Sequence, residues 1–127
     1  MASNNKILIA DDNQANCELL EAYLASVDCE VQMAVDGQDA LDKVAQFEPD
    51  LILLDVMMPG MDGPQTLTEL RKLPVMEGVP VIFMTAKAQT QEVTAYRALG
   101  AAGVIIKPFD PMTLSEQIRA IWEQQHG

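Results

Sequence analysis

Five side chains able to hold a hard cation or handle a phosphoryl group stand at the ends of short apolar runs. Asp11 and Asp12 close the run Lys6–Ala10, Asp55 follows Leu51-Ile52-Leu53-Leu54, Thr85 follows Ile82-Phe83-Met84, and Lys107 follows Val104-Ile105-Ile106. A carboxylate at the end of a buried run has no packing reason to be there. Three carboxylates drawn into one small site repel one another and stay ionised only with a cation among them. Magnesium suits such a site, because it takes a few carboxylate oxygens, keeps several waters and accepts a phosphate oxygen; calcium would want more protein ligands than the sequence offers. An aspartate oxygen attacking phosphorus forms an acyl phosphate and splits one difficult transfer into two easier ones. The cation offsets charge on the phosphoryl oxygens, while a threonine hydroxyl and a lysine ammonium can each bind one of them. Taken singly these residues have plainer uses. Asp11-Asp12 would cap a helix, Thr85 would end a strand and Lys107 would be a solvated lysine. Four strand ends carrying them together point to one site.

The elements that must position these residues are legible in the apolar pattern. Short apolar runs alternate with amphipathic stretches along the whole chain, the pattern of strand–helix units that build a parallel sheet. Five strands are expected, at Lys6–Ala10, Glu30–Val35, Asp50–Leu54, Val79–Met84 and Gly103–Ile106. Four are nearly continuous apolar runs, as strands covered on both faces should be. In the second, Val31, Met33 and Val35 alternate with Glu30, Gln32 and Ala34, which predicts an edge strand. Apolar positions at three- and four-residue spacing mark helices through Leu19, Leu20, Tyr23, Leu24 and Val27; through Ala40, Leu41, Val44 and Ala45; through Leu67, Leu70 and Leu73; through Val93, Tyr96 and Leu99; and through Leu114, Ile118, Ile121 and Trp122. In an open sheet of this kind ligands bind outside the carboxyl ends of the strands, so all five reactive side chains fall on one rim.

Composition narrows the function. A chain of 127 residues, 49% apolar and 21% charged, fits one domain with its own core. One domain over residues 1–127, with a core from about 6 to 122 and no output domain, is the expectation. The apolar runs are far shorter than the roughly 20 residues of a membrane span, and the polar start Met1 to Asn5 has no leader pattern, so a cytoplasmic setting without membrane contact is expected. Acidic residues outnumber basic ones 19 to 8, giving a net charge of −11, which argues against direct nucleic-acid binding. Cys17 and Cys29 have no partner at metal-ligand spacing and His126 stands alone, so two reduced thiols are expected.

The sequence resembles the receiver domain of two-component response regulators. The residues that carry the likeness are Asp11-Asp12, Leu53-Leu54-Asp55-Val56-Met57-Met58-Pro59-Gly60-Met61-Asp62-Gly63, Thr85-Ala86 and Lys107-Pro108-Phe109, spread from Lys6 to about Trp122. The resemblance implies a doubly wound, flavodoxin-like (βα)5 α/β fold with a five-stranded parallel sheet in the order 2-1-3-4-5. It makes Asp55 the phosphoacceptor and Asp12 a direct ligand of Mg2+ (or Mn2+). Asp11 would bind the metal through water, the Met57 main-chain carbonyl would be a further ligand, Thr85 the switch hydroxyl and Lys107 the phosphate-binding lysine. It implies a phosphohistidine donor on a sensor histidine kinase or histidine phosphotransfer protein, and a downstream protein target whose docking changes with phosphorylation.

Two positions depart from the family pattern. An acidic residue and then a switch aromatic usually stand just before the lysine; this chain has Gly103 and Val104. Valine is too short and too restricted about its first side-chain bond to make the aromatic's rotation. The signal is therefore expected to pass through the loop from Thr85 to Gln89 and the fourth helix. Met57 and Lys87 flank the path of water to Asp55; neither can orient a water and accept its proton, which predicts slow self-hydrolysis. A phosphatase with an aspartate nucleophile would need an acid where Met57 stands, and a flavin protein would need a Ser/Thr- and Gly-rich loop where Asp11-Asp12-Asn13-Gln14 stands. The remaining alternative is a degenerate receiver that only docks.

Overall fold

The structure, a computed structural model, describes residues 6–25, 30–58, 60–86, 89–107 and 111–126. The elements alternate strictly: β1 (Lys6–Ala10), α1 (Gln14–Ala25), β2 (Glu30–Ala34), α2 (Gly37–Phe47), β3 (Leu51–Asp55), α3 (Gly63–Leu70), a short 3-10 helix (Pro74–Met76), β4 (Val81–Thr85), α4 (Thr90–Ala98), β5 (Gly103–Ile106) and α5 (Pro111–His126). All four strand pairings are parallel, and the order is β2-β1-β3-β4-β5. This is the parallel α/β sheet that the alternation predicts, in the doubly wound order that the resemblance implies.

The continuous apolar strands follow from burial on both faces, because successive side chains point to opposite sides of a sheet. Ile7, Ile9, Leu51, Leu53, Ile82, Met84 and Ile105 pack against Cys17, Leu20 and Leu24 of α1 and Leu114 and Ile118 of α5. Leu8, Ala10, Ile52, Leu54, Val81 and Phe83 pack against Ala40, Val44 and Phe47 of α2 and Leu67 and Leu70 of α3. Each fully buried Leu, Ile or Phe in these layers contributes about 1.5–3 kcal/mol.

β2 is an edge strand, as its alternation predicts, with Glu30 and Gln32 exposed and Val31 and Met33 half-buried; at its end the expected alternation is reversed, Ala34 being buried in the layer under α2 and Val35 exposed. Its outer rim is covered locally. Lys43 donates to the Met33 carbonyl at 2.6 Å and the Val35 amide donates to Asp39 at 3.0 Å, which satisfies two edge groups that would otherwise be free to pair with another strand.

Several boundaries and core assignments differ from expectation. β3 runs Leu51–Asp55 rather than Asp50–Leu54, because Asp50 instead turns its carboxylate back to the Lys6 amide at 2.8 Å. β2 ends at Ala34, and β4 spans Val81–Thr85, since Val79 closes the turn that follows the 3-10 helix. Leu19 is exposed and Cys17 takes its place in the α1 stripe. No residue of α4 is buried: Val93 and Tyr96 are half-covered, and Leu99, just beyond the helix, is exposed. Val27, Cys29, Lys87 and Pro108 lie outside the described residues.

Candidate functional site

The chain leaves β1 for β2 at the sheet edge and then crosses back to β3 on the other side of β1. That reversal opens a crevice at the carboxyl ends of β1 and β3, and the acidic residues stand there. Asp11 is the residue after β1, and its amide donates to the Ala34 carbonyl, extending the β1–β2 ladder by one bond at 3.0 Å. Asp55 is the last residue of β3, Thr85 the last of β4, and Lys107 the first after β5.

The register brings them together. Lys107 is tied to β4 by its amide, which donates to the Thr85 carbonyl at 2.8 Å. From there its ammonium reaches over the rim to Asp11 Oδ2 and Asp55 Oδ2, each at 3.1 Å. Carboxylate oxygens of Asp11, Asp12 and Asp55 all lie within 4.8 Å of one another. Asp11 is 1% exposed and Asp55 5%, whereas Asp12 faces solvent. Thr85 is buried at the same rim. Met57 is 75% exposed, and its amide donates to Asp55 Oδ1 at 3.2 Å.

Helix capping does not account for Asp11 and Asp12. Asn13 caps α1, its side-chain oxygen taking the Asn16 amide at 3.2 Å, while Asp11 Oδ1 takes the Asn13 amide at 2.9 Å. The sequence reading missed Asn13 in this role, although an Asn three residues before a free helical amide is the signal for it. The other Asp11 oxygen, Oδ2, faces the crevice, where Lys107 meets it.

The electrostatics express the crowding. Burial raises the Asp55 carboxyl above its ordinary value and the Asp11 charge adds to it, against the opposing pull of Lys107 and the Met57 amide. Burial works against the Lys107 charge, but Asp11 and Asp55 outweigh it and raise its pKa, so the ammonium stays charged. Among the described residues, one lysine charge faces three carboxylates. A hard divalent cation fits this donor set: all-oxygen ligands, excess negative charge, and one exposed carboxylate on the solvent side. Burial, reinforced by Asp11, pushes the Cys17 thiol up to about 11, so it is uncharged at neutral pH.

Val104 packs partly buried against the Phe83 layer, one strand over from the threonine. Gly103 lies against α5, where an added Cβ would stand 2.6 Å from Ile121 Cδ1. A groove of about 520 Å³ lined by Gly60, Met61, Gln65, Thr68 and Glu69 is open surface along α3 and includes none of the five rim residues.

Comparison with known proteins agrees with this geometry. Residues 7–119 match the response regulator receiver domain family. The chain is 40% identical over 116 residues to the response regulator PleD of Caulobacter vibrioides, covering 91% of this chain and 26% of that protein. It is 37% identical over 115 residues to the DNA-binding response regulator MtrA of Mycobacterium tuberculosis, covering 91% and 49%. The chain thus spans between a quarter and a half of these curated relatives. Its fold is similar to chemotaxis response regulator CheY4 of Vibrio cholerae, with a TM-score of 0.89 and 28% identity over 94% of this chain and 99% of that one. A CheY-like receiver domain protein from Methanospirillum hungatei has a TM-score of 0.86 at 29% identity, covering 97% of each chain. Matched over nearly its whole described length in sequence and in fold, the chain belongs to the response regulator receiver domain family, the signalling modules of two-component systems.

Proposed function

We propose that Asp55 accepts a phosphoryl group from a phosphohistidine on a sensor histidine kinase or a histidine phosphotransfer protein, and that the resulting switch alters docking to a downstream protein target. The observation that carries this reading is the convergence of Asp11, Asp12 and Asp55 within 4.8 Å with Lys107 ion-paired to two of them. In the transfer an Asp55 carboxylate oxygen forms the new O–P bond as the P–N bond of the phosphohistidine breaks, and the imidazole leaves with the electron pair. The Met57 amide holds Asp55 Oδ1, which orients the carboxylate toward the rim. Lys107, already beside Asp55, has N–H donors to turn toward a phosphoryl oxygen, and the Thr85 hydroxyl serves a second one. Asp11, Asp12, Asp55 and the Met57 carbonyl would hold Mg2+ (or Mn2+), which supplies charge neutralisation for the phosphoryl oxygens.

The readout runs through the segment from Thr85 to α4. Valine at 104 cannot make the rotation of a large aromatic, and α4, with no buried residue, is the helix held least by the core. The Tyr96 ring on α4 meets Phe83 of β4 edge-on at 5.0 Å, a contact through which displacement at the end of β4 reaches the helix.

Acetyl phosphate with magnesium tests the reading. Wild-type chain takes up one acid-stable, hydroxylamine-labile phosphoryl group, and Asp55→Asn takes up none. Equal labelling of the two, or none in the folded wild type, removes Asp55 as the acceptor and favours a docking module without phosphorylation.

A further inference from the structure

Glycine loses more backbone freedom on folding than any other residue, so a glycine held in a regular element calls for a reason. Gly60 and Gly78 have positive φ of 77° and 78° with open space around them, so backbone conformation explains both. Gly63, the first residue of α3, is not among the positive-φ residues. Its reason is steric. An added Cβ would stand 2.7 Å from the Asp55 carbonyl oxygen and 2.8 Å from the Val56 Cα. Both are main-chain atoms, and the strand end that carries them is anchored to β4, where the Val56 amide donates to the Met84 carbonyl at 3.0 Å. The Gly63 amide closes the contact by donating to the Val56 carbonyl at 2.9 Å.

The turn that precedes Gly63 is held from its other side too. A Cβ on Gly37, at the start of α2, would lie 3.1 Å from Met61 Cβ and 3.2 Å from the Met61 carbonyl oxygen. Within the turn, the Asp62 amide donates to Gln65 Oε1 at 3.1 Å and the Gln65 amide to Asp62 Oδ1 at 2.9 Å. Thr66 Oγ1 donates to the Asp62 carbonyl at 2.7 Å. The segment therefore sits between α2 and the Asp55–Val56 peptide without slack.

We infer that Gly63 is a positioning residue for Asp55: its missing side chain lets the first turn of α3 seat on the Asp55–Val56 peptide and so fixes the carboxylate against the Met57 amide. The inference rests on Asp55 being the acceptor. Relieving a 2.7 Å contact to an ordinary 3.4 Å displaces the turn or the strand end by about 0.7 Å in Gly63→Ala. A misplacement near 1 Å costs roughly 10²-fold in a positioned reaction, so Gly63→Ala should label about tenfold more slowly.

The experiment follows labelling of the full chain by acetyl phosphate and magnesium, expressed per folded molecule, at a temperature where circular dichroism shows every variant folded. Gly78→Ala, at the opposite end of the sheet, supplies a glycine loss that strains the backbone through its positive φ without a contact near Asp55. The expected result is slow labelling in Gly63→Ala with a shifted Met57 amide resonance, and the wild-type rate and Met57 resonance in Gly78→Ala. Labelling of folded Gly63→Ala at the wild-type rate overturns the inference and leaves Asp55 as acceptor; absence of label in the wild type defeats the acceptor reading and the inference together. Where Gly63→Ala does not fold, Gln65→Ala decides, because it loosens the same turn without adding an atom near Asp55. A two- to fivefold slower rate supports the inference, and a wild-type rate overturns it.

Discussion

The Asp55 carboxylate is costly to the fold. Its folded pKa is raised above the ordinary 3.8 by burial first and by Asp11 second. A carboxyl that holds its proton more firmly when folded contributes stability that is complete below the unfolded pKa and is lost as pH rises through the folded pKa. At neutral pH the ionised group is thus a net liability. Without divalent metal, Asp55→Asn should be more stable than wild type at pH 7 by on the order of 1 kcal/mol. The gain should shrink as pH falls toward 4; denaturant midpoints at the two pH values measure it, and a less stable variant at pH 7 contradicts the argument. Cys17, whose Sγ donates to the Asp11 carbonyl at 3.4 Å, is held protonated by the same burial and stays chemically quiet.

Arg71 shows how one side chain organises elements at the end of the sheet away from the rim. Its guanidinium donates to the carbonyls of Met76 at 3.2 Å, Val79 at 2.8 Å and Gly100 at 3.4 Å, joining the end of α3 to the approach to β4 and the turn before β5. Arg71→Ala should lower stability by about 1 kcal/mol, the net worth of such bonds near the surface. Arg71→Lys should recover little of it, because a single ammonium lacks the planar fork that serves several carbonyls. The rate of Asp55 labelling should not change in either variant; thermal melts and acetyl phosphate labelling check both halves. The spacing of Val93, Tyr96 and Leu99 in and after α4 suggests more burial than the fold provides.

At the scale of the molecule, a net charge of −11 and three converging carboxylates would couple the binding of a cation to folding. A cation that binds the folded state alone stabilises it by about 2.7 kcal/mol at a hundred times its dissociation constant. Magnesium should therefore raise the melting temperature of the wild type by several degrees, and a chelator should reverse the rise. Asp12→Ala should lose most of this gain while melting near the wild type without metal, because Asp12 is exposed. Calorimetry with and without magnesium measures both, and an equal rise in the two proteins would exclude Asp12 as a ligand.

The alternation of apolar runs and helical stripes determined the fold class, the edge position of β2 and the strand ends bearing Asp11, Asp12, Asp55, Thr85 and Lys107, because local periodicity and burial leave their mark residue by residue. Tertiary structure decided what those residues meet. The Lys107 ammonium spans 96 positions in sequence to Asp11 and 52 to Asp55, separations that no local pattern records. Only packing decided that Asn13 rather than Asp11 or Asp12 caps α1, that α4 stays at the surface, and that the Asp55–Val56 peptide occupies the space a side chain on Gly63 would need. The sequence shows which groups can do the chemistry; the close approach of separate elements sets how they are held.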